Sequence, residues 1–335
     1  MTERTAAREA NTPLISVIVP CHNYGRFVPV CLESVLRQRL AGAAIELIVI
    51  DDASTDDSWG VLQQYRDVPR IRLFREERNQ GYVRVYRRGM EAATGHYVLP
   101  LDADDFVVNE RAFELQLALM DRSESVGFVH SDTRVVDDAG RTLRDGRAWS
   151  RTGIVPSAEA FRRLLLRNSV QHSGTLIRRD AYNAVGGYDP SLVNSIDWDL
   201  WLKLSRRYDV GYIAQPLYAY RLHDRNMHQR VTISPKNRAV VLAEVFMVLD
   251  RASAGAPKAL RRRALAEAHL LTAAAHFYGF RQGPGWRSLA TAAWLRPAIV
   301  ARAGFWAAVA RSGAGLVLGR RGYRALAGIA RRIPH

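Results

Sequence analysis

Ile45-Glu46-Leu47-Ile48-Val49-Ile50-Asp51-Asp52-Ala53-Ser54-Thr55-Asp56 decides the architecture, because an apolar strand runs there straight into an acidic turn. A β-branched run of this length, bounded by turn residues, predicts a buried strand. Ser54 or Thr55 then stands where a helix N-cap is wanted, and the spacing predicts a helix through Tyr65. Upstream, Leu14 to Val19 is a second such strand, ended by Pro20, and Arg26 to Gln38 carries Phe27, Val30, Cys31, Ser34 and Val35 at helical spacing. Downstream come a strand over Ile71 to Phe74, a helix over Tyr82 to Ala93 closed by Gly95, and a strand over Tyr97 to Leu101 that ends in Asp102.

Strands alternating with helices of this length imply an α/β fold with a parallel sheet. Ligands bind such sheets beyond the carboxyl ends of the strands. Three polar clusters fall there: Cys21-His22-Asn23, Asp51-Asp52 and Asp102-Ala103-Asp104-Asp105. Beyond Val126 the pattern is mixed, with strands expected over Val126 to Ser131, Gly174 to Ile177 and Gly211 to Ile213. Helices are expected over Ala158 to Arg167 and Trp198 to Tyr208. From Pro235 the chain reads as wholly helical, with breaks near Gly255-Ala256-Pro257 and Gly283-Pro284-Gly285.

Composition narrows the function. The 335 residues are 48% hydrophobic and 24% charged, as in a globular protein. The formal net charge is +15, yet residues 231–335 hold 17 Lys and Arg against Glu244, Asp250 and Glu267, which leaves residues 1–230 near neutral. That placement argues against a nucleic-acid enzyme, whose catalytic face would itself be basic, and no nucleic-acid partner is expected. Cys21 and Cys31 lack metal-type spacing and read as free buried thiols of a reduced, cytoplasmic compartment. Residues 1–12 carry charge without an apolar core and read as a flexible leader. No run of 18 apolar residues occurs. No GxGxxG follows the first strand and no P-loop is present, so dinucleotide redox chemistry is disfavoured.

Asp102 and Asp104, one residue apart at a strand end, can hold a divalent cation with open positions for phosphate oxygens. Alone, the pair reads equally as an acidic turn capping the next helix. Its surroundings change that: Pro20-Cys21-His22-Asn23-Tyr24, then Ile50 to Asp56, Asn79-Gln80-Gly81, and Gly95 through Asp105 occur in this order. The series resembles glycosyltransferase family 2, whose pattern is PxxN, a VDDGSTD-like turn, NxG and GxYIxxLDxDD, over residues 14 to about 225. Gly187-Tyr188-Asp189, Asp197-Trp198-Asp199-Leu200-Trp201-Leu202 and Tyr220-Arg221-Leu222-His223 are similar to the family's GGFD, EDWDLWL and YRxH segments.

The resemblance implies a GT-A fold, Rossmann-like and α/β, with a mostly parallel central sheet, helices on both faces and a C-terminal helical region. It places the catalytic domain at residues 13–230 and a basic helical region at 231–335. Pro20, His22 and Asn23 would line the nucleobase pocket, with Asp52 accepting a hydrogen bond from the base, Asp51 supporting it, and Asn79 and Gly81 on the donor side. Asp102 would touch the ribose or the metal, Asp104 would be the main metal ligand and His223 a further one. Asp197 would be the catalytic base, with Trp198 and Asp199 supporting it on the acceptor side. The implied reaction is inverting, Mn²⁺- or Mg²⁺-dependent transfer of a single sugar from a nucleotide-sugar donor, foremost a UDP-sugar. The acceptor would be a hydroxyl on a glycan or lipid-linked molecule of the cell surface. A catalytically silent nucleotide-sugar binder is the alternative.

Several positions depart from the family pattern. Ala53 stands where Gly is common, so the backbone there is expected not to need positive φ. Val85-Tyr86-Arg87 replaces the usual ARN, and Ile196 replaces the acid before Asp197. No QxxRW segment of the processive synthases is present. In the tail, Arg261-Arg262-Arg263, Arg320-Arg321 and Arg331-Arg332 punctuate apolar stretches with Trp286, Trp294, Phe305 and Trp306. That pattern suits either an anionic membrane surface as docking partner or a solvated helical subdomain.

Overall fold

The structure is a computed structural model that describes residues 14–40, 44–224, 226, 235–278 and 281–312. The leader and the Arg320-Arg321 and Arg331-Arg332 pairs lie outside the described residues. Two compact units are present, residues 1–161 with 169–222 and residues 162–168 with 223–335.

The first unit is built on a mixed sheet. Its parallel half holds β1 (Leu14–Cys21), β2 (Ala44–Asp51), β3 (Ile71–Arg75) and β4 (Tyr97–Pro100), in the order β3-β2-β1-β4. Between them run α1 (Val28–Leu36), α2 (Ser58–Gln63) and α3 (Tyr82–Ala92). Strand periodicity explains why helices lie on both sides. Ile15, Val17 and Val19 of β1 join the core cluster that contains Val28, Cys31, Leu32 and Val35 of α1. Ile18, of opposite parity, points the other way and packs so closely on Gly89 of α3 that a Cβ there would lie 2.2 Å from it. Cys21 and Cys31 are both free and buried, as expected.

The second half departs from a parallel arrangement. After β5 (Phe106–Val107) and α4 (Ala112–Met120) come β6 (Val126–Val136), β7 (Thr142–Gly146), β8 (Gly153–Val155) and α5 (Ser157–Leu166). Then follow β9 (Leu176–Arg178), α6 (Arg179–Ala184), α7 (Ile196–Ser205) and β10 (Asp209–Arg221). β9 runs antiparallel between β4 and β6, while β6 and β10 pair in parallel. β10 is 13 residues long, far beyond the expected Gly211 to Ile213, and register shifts at Ile213/Pro216 and Pro216/Tyr218 interrupt its apolar pattern.

In the second unit, α8 (Pro235–Ser253), α9 (Lys258–Tyr278) and α10 (Gln282–Leu295) precede a 3₁₀ turn at Pro297–Ala301. The expected break near Gly283-Pro284-Gly285 is present between α9 and α10, and these three residues lie in the first turn of α10, where a proline removes an N–H that has no intrahelical partner. Gly285 is required for contact, since a Cβ would lie 2.3 Å from the Phe277 ring. Leu270, Phe277, Leu289 and Ile299 form a core proper to this unit. No helix among the described residues is long and apolar enough to cross a membrane.

Candidate active site

The parallel register sets Cys21 beside Asp51, so the loops after β1 and β2 emerge together. The Asp52 N–H donates to Cys21 O at 2.8 Å. His22 Nδ1–H donates to Asp52 O at 2.7 Å, leaving Nε2 to accept from the Asn23 amide at 3.1 Å and the Asn79 amide at 3.2 Å. Asn23 Oδ1 accepts the N–H groups of Thr55 at 2.7 Å and Asp56 at 3.2 Å. Asp52 takes Gln80 N–H on Oδ1 at 2.6 Å and Gly81 N–H on Oδ2 at 3.0 Å. Pro20 pairs with Ile50 at the end of β1. The structure thus gathers Pro20, His22, Asn23, Asp52, Asn79 and Gly81 around the carboxyl ends of β1 and β2.

Asp51 is fully buried, with Ser54 N–H at 3.3 Å and Arg75 Nε at 3.3 Å on Oδ2. Its part is to hold the turn beneath Asp52. The expectation for Ala53 is overturned: its φ is +52°, and Asn23 is likewise left-handed at +61°. The Asn23 and Asp51 hydrogen bonds fold the Asp51–Asp56 turn so tightly that residue 53 must go left-handed whatever its side chain, at a cost of about 1–2 kcal/mol for alanine.

At the end of β4, Asp102, Asp104 and Asp105 each offer a carboxylate oxygen, all within 4.8 Å of one another. Asp104 and Asp105 are 7% and 2% exposed. Burial, followed by the Asp104 charge, pushes the Asp102 carboxyl up to about 7. The same two causes, with Asp102 added, hold Asp105 well above the carboxylate range. Asp105 Oδ1 accepts Arg221 N–H at 3.0 Å, while its buried Oδ2 has no hydrogen-bond partner. Crowded, desolvated oxygens with one orphan fit a hard divalent cation, whose charge would favour the ionised forms of Asp102 and Asp105. Arg221, 4% exposed, braces the cluster from its main-chain side by donating Nε–H to Asp104 O at 2.8 Å and stacking over Phe27 and Phe106.

Asp197 sits in the first turn of α7 and accepts Trp198 N–H at 2.7 Å. Burial first, and among lesser causes the Asp197 charge, raise Asp102, Tyr82 and Tyr188, so Asp197 lies within electrostatic reach of them. Trp198 and Asp199 are each 6% exposed, and Asp199 is held by Lys203 Nζ at 2.6 Å, four residues along the same helix. His223 opens the second unit, buried, with its N–H on Asn226 Oδ1 at 2.6 Å.

Sequence reading missed the aromatic cage around Asp102. Tyr86 O–H donates to Asp102 Oδ1 at 2.6 Å and Tyr82 O–H at 3.3 Å. His172 lies between Tyr82, at 2.9 Å from Nδ1, and Tyr188, at 2.8 Å from Nε2, and burial pushes it down to about 3. The two tyrosines four residues apart behind Asn79-Gln80-Gly81 were a readable signal of a shared helix face. His172 left none.

The sequence model described as "Glycosyl transferase family 2" matches residues 16–186. Among curated relatives, chondroitin synthase of Escherichia coli is 29% identical over 234 residues, covering 69% of this chain and 32% of that one. Hyaluronan synthase of Pasteurella multocida is 26% identical over 232 residues, covering 69% and 23%. The chain therefore spans a third or less of the length of these relatives. In fold it is similar to S. aureus TarS 1-349, solved in complex with UDP, with a TM-score of 0.60 at 18% identity over 93% of this chain and 91% of that one. It is also similar to the mannosyltransferase PcManGT from Pyrobaculum calidifontis, solved with GDP-Man and Mn²⁺, with a TM-score of 0.57 at 17% identity over 97% and 86%.

Proposed function

Because this chain belongs to glycosyl transferase family 2, we propose that it transfers a single sugar from a nucleoside-diphosphate sugar to an acceptor hydroxyl with inversion at the anomeric carbon. The observation that supports this reading is that parallel β1, β2 and β4 carry Asp52 and the Asp102–Asp105 cluster just beyond their carboxyl ends, with the Asp197 charge within reach of Asp102. A UDP-sugar is the favoured donor, in keeping with the UDP bound by TarS, and the GDP-Man of PcManGT makes a guanosine donor the comparison to run. The catalytic domain is assigned to residues 13–230 and the helical region to 231–335.

Asp104 and Asp102, with Asp105, would hold Mn²⁺ or Mg²⁺, which when bound neutralises charge on the departing diphosphate. Asp197 takes the acceptor proton as the hydroxyl oxygen attacks, and Trp198 and Asp199 keep the first turn of α7 in place for it. His22, Asn79 and the Asp52-bound turn line the nucleotide side.

The acceptor is proposed to be a glycan or lipid-linked sugar of a cell-surface polymer, following the polysaccharide synthases among its relatives. Trp286, Trp294 and Trp306 are 45%, 73% and 59% exposed in a strongly basic unit, which supports docking on an anionic membrane surface. A donor screen with Mn²⁺ present and absent tests the enzymatic reading. Metal-dependent release of a nucleoside diphosphate and a product of opposite anomeric configuration are expected. Donor binding without any turnover, with acceptor glycans supplied, would replace the enzyme by a silent binder.

A further inference from the structure

We propose that His172 is a positioning residue for the acidic cluster, acting on Asp102 through Tyr82 in a one-way hydrogen-bond chain that begins at Tyr188. The proposal rests on the reading above that Asp102 and Asp104 hold a divalent cation.

Proton counting sets the direction of the chain. Tyr86 and Tyr82 both lie with their hydroxyls on Asp102 Oδ1, at 2.6 and 3.3 Å. A tyrosine has one O–H, so once Tyr82 donates to the carboxylate, its oxygen can only accept from His172 Nδ1, 2.9 Å away. A neutral imidazole protonated at Nδ1 has a bare Nε2, which takes the Tyr188 O–H at 2.8 Å. Every donor in the series therefore points toward Asp102. Reversing any one link would leave two hydrogens or two lone pairs facing each other in a buried space.

Packing leaves the members little freedom to turn. Tyr86, Tyr188 and His172 are 0%, 2% and 6% exposed. The His172 ring stands edge-on to Tyr86 at 4.8 Å, and Tyr82 edge-on to Tyr86 at 4.8 Å. The participants come from the loop after β4, α3, the loop before β9 and the loop after α6. The loop that carries His172 also grips Asp102 from behind, because Ser173 Oγ accepts the Asp102 N–H at 3.0 Å. With Oδ1 holding two hydroxyl donors, Oδ2 is the oxygen left for a cation, and the carboxylate plane is set before any ligand arrives. Such outer partners commonly contribute about 10–100-fold to metal affinity.

Mn²⁺ affinity of the full chain in the presence of a fixed concentration of UDP, read from the electron paramagnetic resonance of free Mn²⁺, tests the assignment. His172→Phe is expected to weaken Mn²⁺ by about 10–100-fold while UDP affinity without metal stays within twofold. His172→Gln, whose amide can both donate and accept, should recover most of the loss. Tyr188→Phe, which removes one oxygen atom and covers the case of a misfolded His172→Phe, should weaken Mn²⁺ by a few-fold. Unchanged Mn²⁺ affinity in both His172→Phe and Tyr188→Phe, where Asp104→Asn abolishes binding, would overturn the positioning role. Unchanged Mn²⁺ affinity in Asp104→Asn would instead remove the metal site on which it stands.

Discussion

Asp52 and Gly81 are joined by a 3.0 Å hydrogen bond from the Gly81 N–H to Asp52 Oδ2, and Gln80 N–H fills Oδ1 at 2.6 Å. Asp52 therefore ties the end of β2 to the start of α3. Asp52→Asn turns an NH₂ group toward one of these donors, leaving a partly buried N–H unmet at about 1–3 kcal/mol. The expected result is a lower unfolding midpoint together with weaker nucleotide binding. A variant with wild-type stability would mean that the tie is dispensable.

Asp197→Asn keeps the first turn of α7 and its hydrogen bond to Trp198 N–H, since Oδ1 remains an acceptor. Nucleotide affinity should hold while transfer falls by about 10²–10⁴. Single-turnover transfer assays beside UDP titrations separate the two, and near-normal turnover removes Asp197 from the role.

Ala53, at φ +52°, carries a left-handed backbone that glycine adopts freely. Relief of about 1–2 kcal/mol of strain is set against the greater freedom of glycine in the unfolded chain, about 0.4–1 kcal/mol. Ala53→Gly should therefore leave thermal stability unchanged or raise it by about 1 kcal/mol. A clear drop in midpoint would show that the methyl group is wanted for packing.

His130 is 1% exposed among Trp149, Tyr212 and Phe128, neither ring nitrogen has a hydrogen-bond partner, and burial pushes it down to about 3. In the unfolded chain a histidine titrates near pH 6.5. Between those values the unfolded state holds the extra proton, so this residue costs stability progressively as pH falls from about 6.5 to 3. His130→Phe should abolish that component, giving a stability advantage over wild type that widens from pH 8 to pH 5. An advantage independent of pH would contradict the buried neutral imidazole.

The parallel half of the sheet and its acidic strand ends were legible because their signals are local. β-branched runs, turn residues and capping hydroxyls sit within a dozen residues of one another from Leu14 to Asp105. Placing Asp52, Asp102 and Asp104 beyond strand ends needed only the direction of those strands. The antiparallel direction of β9 and the long irregular β10 were not legible, because partner strands decided them.

What the amino-acid order determined by itself is which carboxylates leave the sheet together. Only the tertiary structure decided how they are held: Ala53 is forced left-handed by Asn23 from another loop, and Asp102 is caged by His172, 70 positions away, through Tyr82. Contacts across such separations have no period and no spacing, so nothing in a linear pattern announces them. They exist because folding brings buried polar groups together, and each must find a partner when water is gone.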